Sequence, residues 1–345
     1  MATPPKTERP VWTAILDLPP PPEAQMREQL AFVGLNETAK RQMYLDGEPL
    51  LRHAADWVAA AYDHLSRFAP TAKALGWEGR VPEDELYLRR TFFSGWIGRT
   101  IGVDTSDEFA RYLFHAGRVH AGYGPDRRFV PPEWVSLSLT LILRMFSTVV
   151  PAERLGLWTS YLGVQQEVMR AGFEAALELE KGRTVVKVDA LGLALPALPE
   201  PLEVRIPQGG TVLDAALKVL AFRPELRDIA LEPVQDAEEH AGWMEEVTRW
   251  RFKPRWALLK NGRDVAYLEG LATRLKTGDA LTFLPPGADP DRERRPAVRR
   301  GVGFRRRGGH QPMRIPTAVR IATSQPKNIW LQPTCRAVTG GRSSM

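Results

Sequence analysis

The chain has 345 residues, which is enough for two domains of ordinary size. Its composition is that of a soluble globular protein. Cys335 is the only cysteine, so an internal disulfide framework, a Cys-x-x-Cys zinc site and an iron–sulfur cluster are excluded. No apolar run reaches the roughly 18 residues of a membrane span. Met1 to Pro10 also lacks the apolar core of a secretory signal, so we expect a cytoplasmic protein.

The net charge of +6 is unevenly distributed along the chain. Residues 288–345 hold 13 Lys or Arg against 3 acidic residues, whereas the rest holds 34 basic and 38 acidic residues. The basic tail has no apolar periodicity, which is typical of a disordered segment. We therefore expect no nucleic-acid partner for the folded part, and only weak attraction of the tail to nucleic acid.

Most of the first half of the chain has helical periodicity. Residues 1–22 form a Pro-rich lead-in, for which we predict an extended or disordered chain. From there to residue 181, apolar residues recur at helical spacing and no segment alternates as a strand does. The predicted helices cover 23–33, 36–46, 48–68, 83–101, 106–122, 132–149 and 152–181.

One of these helices carries a histidine near its end. Thr105 and Glu108 form a predicted capping box at its start. Its charged stripe includes His115, which we expect to meet water, whereas its apolar stripe ends at His120. A histidine on an apolar face is either a hydrogen-bonded core residue or a metal ligand through its neutral nitrogen. Small residues one turn earlier, including Gly117, would leave room for a flat ligand.

The pattern changes at Gly182, where strand and turn signals replace helical spacing. The order of predicted elements is strand, strand, helix, strand, hairpin and strand, which indicates an α+β domain. The charged, Trp-rich stretch 235–254 is interpreted as an inserted helix. The predicted strands cover 184–188, 202–206, 256–260 and 280–284.

Three separated pieces of the helical segment resemble protoglobins and the globin domains of globin-coupled sensors. They are Phe-x-x-Trp-Ile from Phe93 to Ile97, Gly-x-x-His from Gly117 to His120, and Pro-x-x-aromatic from Pro131 to Trp134. The resemblance covers residues 23–181. It implies a haem b group whose iron is bound by His120 as the proximal ligand, and a pocket that takes O₂, CO or NO.

A tyrosine on the helix 48–68 agrees with this resemblance. Tyr62 belongs to the apolar face of that helix, whereas His53 and His64 lie outside it. A buried phenol needs a partner, which is either a backbone carbonyl or a ligand on the iron. The resemblance implies the second role, with Tyr62 in the distal pocket.

The resemblance also implies which residues line the pocket. Phe93 and Ile97 would form one wall, Val135 and Ile142 another, and Gly117 would lie beside the proximal histidine. The apolar residues among them are equally ordinary choices for a core. Ser138 stands where we expect a bulky apolar residue, a departure that would widen the cavity.

Residues 182–287 resemble the β-grasp of small sulfur-carrier proteins of the MoaD/ThiS type. The similar pieces are Gly209 to Val212, Asn261-Gly262 and Gly278 to Pro286. Such carriers end in a Gly-Gly whose carboxylate is activated, whereas here the chain continues for 58 residues after Gly287. The match therefore implies the fold more than the chemistry.

The sequence predicts a multidomain chain with an all-α globin-like domain over 23–181, an α+β ubiquitin-like β-grasp domain over 182–287 and a tail over 288–345. The first hypothesis is a non-enzymatic globin that binds a diatomic gas as a sensor or carrier. It includes a homodimer contact through the globin helices and a protein partner for the β-grasp domain. One alternative is a sulfur-carrier-like or scaffold protein of molybdopterin- or thiamine-type cofactor biosynthesis, regulated by its globin-like domain. Another is a haem-free interaction module.

Overall fold

The computed structural model describes residues 15–79, 81–191, 193, 201–240 and 243–287. These residues all belong to one structural unit, Met1–Arg295. Most of the predicted lead-in and the whole predicted basic tail lie outside the described residues.

The first part of the chain is helical, as the periodicity predicts. The helices are α1 (Pro22–Phe32), α2 (Glu37–Tyr44), α3 (Gly47–Arg67), α4 (Ala69–Ala74), α5 (Glu83–Ile101), α6 (Asp107–His120), α7 (Pro132–Phe146) and α8 (Ala152–Leu179). The short helix α4 is an addition to the predicted set. Proline at the first helical turn begins α1 and α7, where its missing N–H has no intrahelical partner to lose.

The predicted cap of α6 is wrong by one residue. Ser106, rather than Thr105, accepts a hydrogen bond from the Phe109 amide at 3.2 Å. Asp104 in turn accepts from the Ser106 amide at 2.9 Å. Because the Ser106 amide already donates to the Asp104 side chain, Ser106 is the cap residue and Asp107 is the first residue of the helix.

Helices α6 and α8 cross at two glycines. A Cβ atom at Gly117 would lie 1.9 Å from the Met169 carbonyl oxygen, and one at Gly172 would lie 2.0 Å from the Phe114 carbonyl oxygen. Both obstacles are backbone, which cannot rotate away as a side chain can. The two helices therefore touch backbone to backbone, at a separation that other residues would forbid.

The second part of the chain is an α+β domain around one mixed sheet. Its elements are β1 (Thr184–Ala190), β2 (Leu202–Ile206), α9 (Val212–Phe222), α10 (Pro224–Ala230), β3 (Leu231–His240), β4 (Trp243–Phe252), β5 (Ala257–Lys260), β6 (Arg263–Asp264) and β7 (Ala280–Leu284), with single 3₁₀ turns at Val265–Tyr267 and Gly270–Ala272. The main sheet has the order β2-β1-β7-β5-β6, in which β1 and β7 are parallel neighbours. A helix packed on a sheet of this order is the layout of a β-grasp, so the predicted fold class is confirmed.

The stretch 235–254 is not the inserted helix that its charges suggested. It forms most of the hairpin of β3 and β4, whose backbones pair antiparallel from Leu231 opposite Phe252 to His240 opposite Trp243. In this ribbon the partner strand, rather than a helical turn, satisfies the backbone groups. Sequence charge alone does not distinguish that ribbon from a solvated helix.

Two apolar cores share one helix. The globin-like core lies among α1 to α8, whereas the second core lies between α9 and the sheet. Phe173, Ala176 and Leu179 at the end of α8 belong to the second core. The lead-in also contributes to that core, because Leu16 is buried there and its backbone pairs with Trp250 of β4. Within the described ranges, none of the helices has the length and apolar character required to cross a membrane.

We predict that Gly117→Ala lowers the free energy of unfolding by about 2 to 4 kcal/mol, because the added methyl group must push α8 away from α6. The matched control is Gly163→Ala on α8, where an added Cβ meets nothing within 4 Å. That change should leave stability unchanged or raise it by up to about 1 kcal/mol. Urea denaturation of both variants measures the difference, and equal stabilities would contradict the close crossing.

Candidate functional site

His120 is the last residue of α6, at the point where the chain leaves the helix. The loop that follows bends back on it, since the Val130 amide donates to the His120 carbonyl oxygen at 2.7 Å. A bridge between Ala121 and Phe129 closes the same loop. The histidine backbone is therefore held on both sides, by the helix before it and by the closed loop after it.

The His120 side chain fits the role of an axial ligand. Burial, together with the charge of Arg89, lowers the pKa of His120 to about 4, so the imidazole is neutral near pH 7. Neutral imidazole is the form that binds metals. Its Nδ1 atom is buried and has no hydrogen-bond partner among the described residues. A buried, unpaired ring nitrogen is costly unless a ligand coordinates it or a hydrogen-bond partner satisfies it.

No larger metal cluster accompanies this histidine in the part of the chain that the structure describes. Nowhere there do three His, Cys, Asp or Glu side chains converge as a metal site. A metal ion held by protein side chains alone needs such a set, whereas haem iron needs a single axial side chain. The isolated histidine is thus compatible with haem and not with a multi-ligand centre at these residues.

Tyr62 of α3 points inward, as predicted, and its hydroxyl donates to the Arg89 carbonyl oxygen of α5 at 3.0 Å. Burial raises the pKa of Tyr62 to about 12, so the phenol keeps its proton and remains a donor. Of the two partners expected for a buried phenol, the structure holds the backbone carbonyl. His53 and His64 are exposed on the same helix, as predicted.

The predicted wall residues lie in or against one apolar core. Ile97 of α5 and Ile142 of α7 are buried in it, and Phe93 and Val135 are partly buried against it. The ring of Phe93 lies edge-on to that of Tyr62, with centroids 5.7 Å apart. These contacts bring Tyr62 and Phe93 together. Their role as a haem lining stays a prediction.

Two residues that the sequence analysis placed at the ligand pocket, Gly117 and Ser138, contact other parts of the protein. Gly117 faces the backbone of α8 at the helix crossing, so its missing side chain makes room for a helix, not for a flat ligand. The Ser138 hydroxyl donates to the Trp134 carbonyl oxygen at 2.7 Å, within its own helix. Both observations assign a local structural contact to a residue that sequence reasoning placed at the ligand.

A polar cluster on α5 escaped the sequence analysis. The Glu85 carboxylate of α5 accepts from Arg89 Nε at 2.8 Å, from Arg128 Nη1 at 2.7 Å and from Trp77 Nε1 at 3.1 Å. Burial acts to raise the pKa of Glu85, but these hydrogen bonds prevail and hold it at about 2. The i, i+4 spacing of Glu85 and Arg89 was the available sequence signal. The cluster ties the loop after His120 to α5.

Arg89 connects the two predicted ligand-facing residues. Its carbonyl accepts the Tyr62 hydroxyl, and its guanidinium lies close enough to His120 to lower the pKa of that histidine. The same side chain pairs with Glu85. Arg89 therefore contacts the distal candidate directly and acts on the proximal candidate through its charge.

The expectation that His115 meets water is wrong. His115 is partly buried, and its Nδ1 lies 3.1 Å from Arg118 Nη2. Burial and the nearby Arg118 lower its pKa to about 4, against the opposing effect of Glu225. The end of the charged stripe, at His115 and Arg118, thus lies beside Glu225 of α10 in the β-grasp domain, whose position no helical wheel can show.

Comparison with known proteins supports the globin assignment. The Protoglobin family model matches residues 22–174, which is somewhat less than half of the chain and extends from α1 into α8. A stretch of 36 residues is 53% identical to Small archaeal modifier protein 3 of Haloferax volcanii. That stretch is 10% of this chain and 39% of the relative, so the chain matches about two fifths of that relative's length. The first match confirms the predicted globin segment, whereas the second only hints at the β-grasp segment.

We predict that Glu85→Gln lowers the free energy of unfolding by about 2 to 3 kcal/mol at pH 7, because two partly buried arginines lose their counter-charge. A carboxylate whose pKa is depressed on folding stabilises fully above its unfolded pKa of about 4.5. The difference between variant and parent should therefore shrink as the pH falls from about 4.5 towards 2. Urea denaturation at pH 7 and pH 3 measures this.

The matched control for that experiment is Asp84→Asn, which changes an exposed carboxylate one residue away. Its effect should stay within about 0.5 kcal/mol at both pH values. A Glu85→Gln difference that does not depend on pH would contradict the assignment of the charge to this cluster.

Proposed function

We propose that this chain is a haem-binding globin that binds a diatomic gas, O₂, CO or NO. The observation that carries the proposal is the Protoglobin match over residues 22–174, with the Gly-x-x-His histidine at the end of α6. The neutral, largely enclosed imidazole of His120 supports it. Iron in the bound haem would supply the coordination chemistry, and His120 would be its protein ligand.

The haem we propose is haem b, held without covalent bonds. Covalent attachment of c-type haem uses a Cys-x-x-Cys-His motif, and the single cysteine, Cys335, does not belong to one. Apolar wall residues that include Ile97 and Ile142 suit the apolar faces of a flat porphyrin ring. A pyridine haemochrome spectrum identifies the haem type directly.

Tyr62 is the proposed distal donor. It is protonated at neutral pH, and its present acceptor is a carbonyl oxygen that belongs to the backbone of α5. Helix carbonyls have their own intrahelical donors, so the Arg89 carbonyl does not depend on the phenol. The hydroxyl could therefore donate to a diatomic gas bound to the iron without leaving the Arg89 carbonyl unpaired.

The β-grasp domain is proposed to transmit the gas-binding signal or to dock a protein partner. The chain would act by binding, without catalysis of its own, as a sensor or carrier. A homodimer contact through the globin helices and a protein partner for the β-grasp domain belong to the same proposal. The short similarity to an archaeal modifier protein supports the β-grasp assignment and does not extend to sulfur-carrier chemistry.

The test is an absorption spectrum of the purified chain after titration with haem. We expect a Soret band at one haem per chain, which shifts when the reduced protein meets CO. His120→Ala should abolish the band or reduce haem affinity at least about tenfold, since the iron loses its protein ligand. A parent protein that takes up no haem would overturn the proposal.

The matched control is His115→Ala, which removes the other histidine of the same helix. Because His115 faces Arg118 and Glu225 instead of the apolar core, this variant should keep its Soret band and its CO shift. Loss of haem in both variants to the same extent would indicate a general effect on α6, and would contradict the specific role of His120.

A further inference from the structure

We propose that the β-grasp domain positions the proximal end of α6, through a buried contact of Arg118 with Phe222 and Glu225, and thereby sets the gas affinity of the globin domain. Arg118 precedes His120 by two residues in the last turn of α6. Phe222 ends α9, and Glu225 lies in the first turn of α10. This inference rests on the proposed function of His120.

The Arg118 guanidinium is almost fully buried, with 2% of the residue exposed. Its Nη1 donates to the Phe222 carbonyl oxygen at 2.8 Å, and its Nη2 donates to Glu225 Oε1 at 2.8 Å. The guanidinium carbon also lies 5.4 Å from the centre of the Phe222 ring. A buried guanidinium is tolerated only where such partners are present. A shift of the last turn of α6 would therefore separate a buried guanidinium from its acceptors.

A second contact reaches the same phenylalanine from the other side of His120. The ring of Tyr123, three residues after the histidine, lies 4.8 Å from the ring of Phe222. The Tyr123 hydroxyl donates to Glu180 at 2.8 Å. Ala121, next to the histidine, is buried in the β-grasp core. His120 is thus flanked in sequence on both sides by residues that are packed on the β-grasp domain.

The physical consequence is a coupling between the two sites. Movement of His120 towards or away from bound iron requires movement of the α6 end, which Phe222 and Glu225 resist. If those contacts favour one position of α6, they change the gas affinity. By thermodynamic reciprocity, gas binding then changes the equilibrium constant for the contact of α6 with α9 and α10 by the same factor. Arg118, Phe222 and Glu225 act through His120, so they are positioning residues.

The experiment uses the full chain with Glu225→Gln, which removes the charge and keeps the side-chain shape. In the haem-free protein, we expect amide hydrogen exchange of residues 114–123 to rise at least about fivefold, because the α6 end loses an anchor. In the reduced haem-loaded protein, the rate constant of CO dissociation should change at least about fivefold. The iron–histidine stretching band should move with it, which a purely structural role would not cause.

The matched control is Asp228→Asn at the same domain contact. Asp228 accepts from Arg111 at 2.8 Å, but Arg111 lies near the start of α6, far in sequence from His120. Its CO dissociation and its exchange over residues 114–123 should match those of the parent. An equal change in both variants would overturn the proposal in favour of a general loosening of the contact, and no change in Glu225→Gln would overturn it outright.

A second variant covers the case in which Glu225→Gln fails to fold. Arg118→Lys keeps the positive charge but cannot donate in the forked geometry that reaches both Phe222 and Glu225. It should show the same two changes, and parent-like values in a folded Arg118→Lys protein would overturn the proposal. If the parent takes up no haem, the proposed function fails, while hydrogen exchange in the haem-free chain still decides whether the β-grasp domain holds the α6 end.

Discussion

The contact between α6 and α8 at Gly117 and Gly172 is the constraint on which the rest of the structure depends. Each glycine faces a backbone carbonyl of the other helix at a distance that excludes any Cβ atom. This crossing places α6, with its terminal histidine, against a helix of 28 residues that continues into the second core. A change in this helix crossing would therefore alter the packing of both the candidate haem site and the β-grasp domain.

Buried and partly buried ion pairs lie on both sides of the end of α6. On one side, Glu85 accepts from Arg89 and Arg128 and ties the following loop to α5. On the other, Arg118 pairs with Glu225 of the β-grasp domain. Ion pairs of this kind contribute modestly when complete, but removal of one partner leaves the other charge, most of all the buried Arg118, without its counter-ion. The two clusters thus specify where the chain around His120 lies more than they add to overall stability.

The helices were predictable because their signals are local. Prolines that begin α1 and α7, and apolar residues at helical spacing, depend only on neighbours within a few turns. Strands of the main sheet were predictable for the same reason, since β2 alternates cleanly from Leu202 to Ile206. The hairpin of β3 and β4 was not, because charged residues suit an exposed ribbon and an exposed helix equally, and only the partner strand decides between them.

In the candidate site, too, local patterns predicted some features and tertiary contacts decided the others. Tyr62 and His120 were found from periodicity and from a motif, and both are enclosed as expected. Gly117 was placed correctly on its helix but assigned to the wrong neighbour, because a helical wheel shows a face and not what covers it. His115 was expected in water for the same reason, since α10 covers it only after the chain has folded back.

By itself, the sequence determined the helical first part, most strands of the α+β second part and the helix faces on which His120 and Tyr62 lie, because these depend on patterns that repeat within a helix or a strand. Resemblance to known families, rather than periodicity, implied the globin and β-grasp folds and the proximal and distal roles of the two residues. Tertiary structure alone decided the partners of the buried charges. Arg118 meets Glu225 across 107 residues of chain, and Glu85 meets Arg128 across 43. No local pattern encodes those pairs, because burial makes a counter-charge necessary while only the packing of whole helices determines which one is within reach.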